Sequence, residues 1–92
     1  MIVYVRAFGI VQPVLGERRL AIEMPGGASI QEVLEILAAR YYTDRKEEIW
    51  DAERQVFRIP VIVMTGGRDV FDYSGSMEDE QEIMLVAPMA GG

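Results

Sequence analysis

The sequence predicts an α+β fold in which one main helix packs across a sheet of four or five strands. Three observations support this prediction. Two segments near the amino terminus resemble strands, one segment repeats apolar residues at spacings of three and four, and short apolar runs separated by glycine turns follow. A chain of 92 residues makes one domain. Residues 1-92 are therefore assigned to a single unit, with 87-92 as an extended, flexible C-terminal tail.

Two strands are predicted before the helix. Residues 2–8 are β-branched and aromatic, and Arg6 indicates that one side of this strand is partly outside. Residues 18–24 alternate between apolar and charged side chains, which is typical of a half-buried strand. The residues expected to face the core are Val3, Val5, Ala7, Leu20, Ile22 and Met24.

The helix is predicted from its start signal and its periodicity. Ser29 and Glu32 form a capping box, in which each side chain accepts a hydrogen bond from the other residue's backbone amide. The apolar residues that follow lie on one face of a helix, which indicates a core face. They are Ile30, Val33, Leu34, Leu37, Ala38 and Tyr41.

Shorter apolar runs make up the second half of the chain. Pro60 is tolerated only near the start of a strand, and Gly66-Gly67 indicates a tight turn. The predicted elements are a loop over 43–58 with a short helix around 47–52, a central strand over 59–64, a turn over 65–68, a short edge strand over 70–73 and a last strand over 83–86.

Composition excludes several kinds of site. The chain has no cysteine and no histidine, which excludes a disulfide scaffold, a Cys/His zinc site and a Ser-His or Cys-His nucleophile. No catalytic residues and no metal ligands are predicted, and the chain is expected not to be an enzyme. The acidic residues Glu78, Asp79, Glu80 and Glu82 lack the spacing of a calcium loop and are interpreted as solvated charges.

Charge and hydropathy restrict the partners and the location. A net charge of −6 argues against nucleic acid, because phosphate binding requires clustered Lys and Arg. No segment resembles a membrane span or a signal peptide. We therefore expect a cytoplasmic protein that binds neither nucleic acid nor membrane.

The carboxyl terminus is the most specific feature of the sequence. A Gly-Gly ending has a chance probability of roughly 0.5 % at average glycine usage. It follows a strand and a stiff proline, and glycine has no Cβ to clash in a narrow channel. We therefore expect the segment to thread into another protein's active site and to present its terminal carboxylate. The threading residues are Pro88, Ala90 and Gly91, and the reactive residue is Gly92.

Three segments resemble the small subunit of molybdopterin synthase (the MoaD family). They are 66–70, the acidic 79–82 before the last strand, and 86–92. The resemblance implies a ubiquitin-like β-grasp fold with a mixed four- to five-stranded sheet. The family's usual Asp-Gly-Asp-Glu is Asp79-Glu80-Gln81-Glu82 here, so that the turn glycine is lost and a different turn geometry is expected. The usual Pro-Pro pair is Ala87-Pro88.

The resemblance also implies a carrier cycle in which the chain binds no cofactor itself. A ubiquitin-activating-like enzyme uses ATP to adenylate Gly92, and a sulfur donor converts the adenylate to a thiocarboxylate. The large subunit of molybdopterin synthase, or another sulfur acceptor, then takes the sulfur. The alternatives are a modifier joined to lysines through Gly92, a carrier for thiamine, cysteine or tRNA thiolation, and a non-covalent β-grasp binding module.

Such partners need a docking face. If Val3 and Val5 face the helix, the opposite face of the sheet carries Phe8, Met84 and Val86, which are predicted to form an exposed partner-binding patch. Matching positions contribute to subunit contact in the resembling family. Two alternatives stay open: residues 43–58 fold over this face, or the assumed strand parity is wrong by one residue.

Overall fold

A computed structural model of the protein describes residues 1–9, 19–42 and 46–87. Among these residues, no helix is long and apolar enough to cross a bilayer. The helices are α1 (Ile30–Ile36), which continues into a π-helical turn over Leu37–Tyr41, and α2 (Lys46–Ile49). The strands are β1 (Ile2–Gly9), β2 (Arg19–Glu23), β3 (Trp50–Asp51), β4 (Val56–Phe57), β5 (Ile62–Thr65), β6 (Arg68–Val70) and β7 (Glu82–Ala87).

The main sheet has five strands in the order β2-β1-β7-β5-β6, and β3 and β4 form a separate hairpin. β1 and β7 are parallel and lie at its centre, while the other neighbouring pairs are antiparallel. The sheet is therefore mixed, as predicted. β7 includes Ala87, the first residue of the predicted tail, because Ala87 still pairs with Gly9 on β1.

The core lies between α1 and one face of the sheet. Ser29 Oγ accepts a hydrogen bond from the Glu32 amide at 3.1 Å, and Glu32 Oε1 accepts one from the Ser29 amide at 3.2 Å, so the predicted capping box is confirmed. The predicted inward residues of β1 and β2 are buried, which confirms the strand parity. The largest fully buried side chains are Ile22, Leu34, Leu37, Ile83, Leu85, Val3, Val5, Val33 and Val63.

The π-helical turn changes which tyrosine enters the core. The Tyr42 amide donates to the Leu37 carbonyl, five residues back, at 2.9 Å. This extra residue in the turn shifts the buried position by one, so Tyr42 is buried and Tyr41 is only partly so. The predicted α-helical spacing had assigned Tyr41 to the core. Burial raises the pKa of the Tyr42 hydroxyl above its ordinary value.

The segment 46–58 packs on the helix side of the molecule. Trp50 is buried and makes edge-to-face contacts with Tyr42 and Phe57, at centroid distances of 6.3 and 5.0 Å. The Gln31 side chain on α1 donates to the Gln55 carbonyl at 2.9 Å. The described residues of 43–58 therefore do not cover the face of the sheet opposite α1. The short helix predicted around 47–52 is present as α2 but ends at Ile49, because the next two residues form β3. The β3–β4 hairpin was not predicted.

The strands on the far side of the sheet are shorter or displaced from the prediction. β5 begins at Ile62 and not at residue 59, because Pro60 has no amide hydrogen to donate to a ladder. Gly66 and Gly67 make the tight turn with φ of +60° and +77°. β6 follows this turn at once and ends at Val70, so Phe71 lies beyond it with 87 % of its surface exposed.

The turn before β7 contains a glutamate with a left-handed backbone conformation. Glu80 has φ of +67°, in the left-handed region that favours glycine. Its amide donates to the Ile2 carbonyl at 2.6 Å, and Asp79 Oδ1 accepts from the Ile2 amide at 2.8 Å. These bonds tie the turn to β1 and keep Glu80 in its conformation. Glu80, at the position of the resembling family's turn glycine, therefore has a backbone conformation that glycine favours, and a turn geometry different from that of the family stays a prediction.

Substituting Glu80→Gly is expected to stabilise the protein by about 0.5–1 kcal/mol. Glycine removes a left-handed strain of roughly 1–2 kcal/mol, and its greater freedom in the unfolded chain offsets part of this gain. Urea unfolding followed by circular dichroism measures the change. Glu78→Gly is the matched control, since Glu78 has no positive φ, and should lose stability. A lower unfolding midpoint for Glu80→Gly would contradict the strain argument.

Candidate functional site

The sheet face opposite α1 carries a row of apolar side chains. Strand register places Phe8 beside Val86, and Val86 beside Ile62. In the next row, Met84 pairs with Met64. Phe8 and Ile62 are 37 % and 38 % exposed, and the other three are partly exposed. We call these five residues the open-face patch. An apolar patch of this kind on a sheet face is typical of a binding surface.

The structure brings together all three residues predicted for this face. Phe8, Met84 and Val86 lie on adjacent strands, as the strand parity required; that they bind a partner stays a prediction. Ile62 and Met64 were missed. They belong to a run that is apolar on both sides, so its pattern carries no alternation to show which side faces solvent. The pairing of β5 with β7 supplies this information only in the folded sheet.

A charged cluster borders the open-face patch. Glu82 accepts from Arg19 Nε at 3.2 Å, and Arg6 Nη1 lies 3.8 Å from its other carboxylate oxygen. The Arg19 guanidinium stacks over the Tyr4 ring at 3.9 Å, and that of Arg6 lies 5.5 Å from the Phe8 ring. Arg6 Nε is buried without a hydrogen-bond partner. The ion pairs are half-exposed and stabilise the fold by at most about 1 kcal/mol each. They nevertheless hold the guanidinium groups of Arg6 and Arg19 beside the open-face patch.

The end of β7 lies directly beside the open-face patch. Gly9 pairs with Ala87, one position beyond the pair Phe8–Val86. The Ala87 side chain is 1 % exposed, so the strand is anchored in the core up to its last residue. The predicted threading and carrier residues, Pro88, Ala90, Gly91 and Gly92, lie outside the described residues.

No protein-family model and no curated protein matches the sequence. Solved structures do match. SAMP1 from Haloferax volcanii has a TM-score of 0.81 at 16 % identity, over 100 % of both chains. Putative molybdopterin converting factor subunit 1 from Pyrococcus furiosus has a TM-score of 0.73 at 20 % identity, over 96 % of this chain and 98 % of that one. The fold is a ubiquitin-like β-grasp.

A further match is found in a protein–protein complex. The complex is that of subunits 1 and 2 of the molybdopterin-converting factor from Helicobacter pylori, and the match has a TM-score of 0.62 at 18 % identity over 100 % of both chains. At these identities the likeness concerns the β-grasp fold alone. It confirms the predicted fold class and leaves the role of the open-face patch to be argued from its own geometry.

Two of the four acidic residues expected to be solvated charges have structural roles in this β-grasp. Glu82 is held by two arginines, and Asp79 accepts from the first amide of β1. Within 1–9, 19–42 and 46–87, no group of three or more acidic residues could hold a metal ion. The candidate site therefore consists of a partly exposed apolar sheet face and the anchored end of β7.

Proposed function

We propose that this β-grasp protein is a cytoplasmic sulfur carrier in which Gly92 supplies the reacting carboxylate. The observation that carries the proposal is the position of the open-face patch, beside the end of β7. Gly92 follows Ala87 by five residues, which span at most roughly 18 Å. A partner docked on the patch would therefore hold its active site within that distance of Ala87.

The chemistry of the carrier takes place on partner enzymes. An oxygen of the Gly92 carboxylate attacks the α-phosphorus of ATP bound to an adenylating enzyme, and pyrophosphate leaves. A sulfur donor at the oxidation level of sulfide then attacks the acyl carbon, AMP leaves, and a thiocarboxylate remains. The β-grasp domain contributes docking and delivery in this scheme, and ATP is consumed without a site for it on this chain.

We further propose that the acceptor is the large subunit of molybdopterin synthase. The structural match to a complex of subunits 1 and 2 of a molybdopterin-converting factor supports a large-subunit partner. Sulfur transfer to thiamine, cysteine or tRNA thiolation is the alternative for the same thiocarboxylate. Copurification distinguishes these routes, because each needs a different acceptor enzyme.

Intact mass spectrometry tests the carrier step. After incubation with the adenylating enzyme, ATP and a sulfur source, the protein should gain the mass of one sulfur atom in exchange for one oxygen atom. The same reaction without ATP is the control. An unchanged mass in the complete reaction would overturn the proposal.

A second candidate function is protein modification, in which a lysine amine takes the acyl group of Gly92. The match to SAMP1, a small archaeal modifier protein, favours it. Cells that carry an N-terminally tagged copy should then show a ladder of tagged conjugates on a blot. The ladder should vanish when Gly91 and Gly92 are deleted, and its absence in the wild type would exclude this function under the conditions used.

A further inference from the structure

Gly9 and Ala87 form the last pair of the parallel ladder between β1 and β7. Gly9 has φ of +75°, a conformation that L side chains rarely adopt. A Cβ atom at Gly9 would also overlap the carbonyl oxygen of Ala87. Because this neighbour is backbone and not the tip of a side chain, it cannot rotate away, and the end of β7 would have to move.

The other described glycines do not combine these two constraints. Gly27, Gly66 and Gly67 also have positive φ, but a Cβ on each would meet nothing within 4 Å. Gly26 and Gly75 have open space as well. Among the described glycines, Gly9 is therefore the one at which both the backbone conformation and the available space require the absence of a side chain.

The carbonyl of Ala87 determines where the chain goes next. The Ala87 side chain is fixed in the core, and the peptide unit is planar, so the orientation of this carbonyl sets the direction of the bond to Pro88. A Cβ at Gly9 would displace this carbonyl, and with it the point from which the chain continues towards Gly92. A misplacement of about 1 Å can cost on the order of a hundredfold in rate.

We propose that Gly9 is a positioning residue for the C-terminal carboxylate. By lacking a Cβ, it lets the Ala87 carbonyl take the orientation that aims the following segment at the active site of the adenylating enzyme. The inference rests on the proposed function, since it requires that the Gly92 carboxylate be delivered to such an enzyme.

ATP–pyrophosphate exchange with the adenylating enzyme tests the proposal, with the β-grasp protein as the varied substrate. For Gly9→Ala we expect kcat to fall at least about tenfold and KM to change less than threefold, because the open-face patch that docks the enzyme is retained. Gly27→Ala is the matched control. It introduces the same methyl group at a positive φ without the contact to Ala87, and both of its kinetic constants should stay within twofold of the wild type.

Two results would overturn the positioning role. One is a kcat for Gly9→Ala no lower than that of Gly27→Ala. The other is an increase in KM with no fall in kcat, which would mean that Gly9 shapes the docking surface instead. An inactive wild-type protein would overturn the carrier proposal itself, and so the two failures are distinguishable.

A second pair of variants covers the case in which Gly9→Ala does not fold. Inserting one glycine between Ala87 and Pro88 changes the direction at the end of β7, whereas inserting it between Ala90 and Gly91 adds the same length further on. The first insertion should lower kcat at least tenfold more than the second. Equal values would show that the direction at Ala87 is irrelevant and would overturn the proposal.

Discussion

Deletion of Gly92 is expected to lower the rate of adenylation by more than about a hundredfold. The deletion withdraws the terminal carboxylate by roughly 3.5 Å, and a displacement of only about 1 Å from the reactive geometry can cost on the order of a hundredfold. The effect should be on kcat, because the open-face patch is unchanged. Pyrophosphate exchange measures the rate, and intact mass spectrometry measures the thiocarboxylate formed afterwards.

Gly92→Ala is the comparison for this deletion. It keeps the length of the chain and the terminal carboxylate and adds only a methyl group, so we expect it to retain more activity than the deletion. Both variants should unfold at the wild-type temperature, since the substituted position lies beyond the end of β7. If the deletion variant were adenylated at the wild-type rate, a non-covalent β-grasp binding module would describe the protein better.

Placing a charge in the open-face patch is expected to weaken binding of the adenylating enzyme by roughly thirtyfold or more, which corresponds to about 2 kcal/mol. Ile62→Asp is suited to this purpose, because Ile62 lies beside Val86 and is already 38 % exposed. The loss arises because docking would bury the new carboxylate without a partner. Isothermal titration calorimetry with the enzyme measures the dissociation constant.

Val56→Asp is the matched control. Val56 is also a β-branched strand residue and is 48 % exposed, but it lies on the β3–β4 hairpin at the helix side. Substitutions at such exposed positions change stability by about 0.5 kcal/mol, so both variants should stay folded, as thermal unfolding would show. Equal affinities for Ile62→Asp and Val56→Asp would mean that the partner does not dock on the open-face patch.

The parts of the β-grasp fold that could be predicted from the sequence are those with a strong local signal. The capping box at Ser29 and the alternation in β2 act over a few residues, and both are found in the structure. The β3–β4 hairpin has two-residue strands, which are too short to show any periodicity. The π-helical turn moved the buried tyrosine from Tyr41 to Tyr42, because one added residue shifts a helical pattern without changing its composition.

The residues of the candidate site could be predicted where apolar and polar side chains alternate along a strand. They could not be predicted where every side chain of the strand is apolar. Arg6 marks the outer side of β1 and so identified Phe8, whereas no polar residue interrupts the run that contains Ile62. The role of Gly9 also could not be predicted. It depends on the approach of the Ala87 backbone from a strand at the other end of the chain, and no local pattern reports such a contact.

The central parallel pairing of β1 with β7 determines when the newly synthesised chain can fold. The hydrogen bond between Ile2 and Asp79 joins residues 77 positions apart, and β1 lies inside the sheet with β7 as one of its two neighbours. Pairing over such a separation closes a long loop before any stabilisation is gained. A nascent chain whose β7 residues have not yet emerged from the ribosome therefore cannot complete its sheet. Chains that stop short of β7 should remain unfolded and be degraded, so that the folded molecules in the cell are those translated at least to Ala87, the residue that precedes the proposed carrier segment.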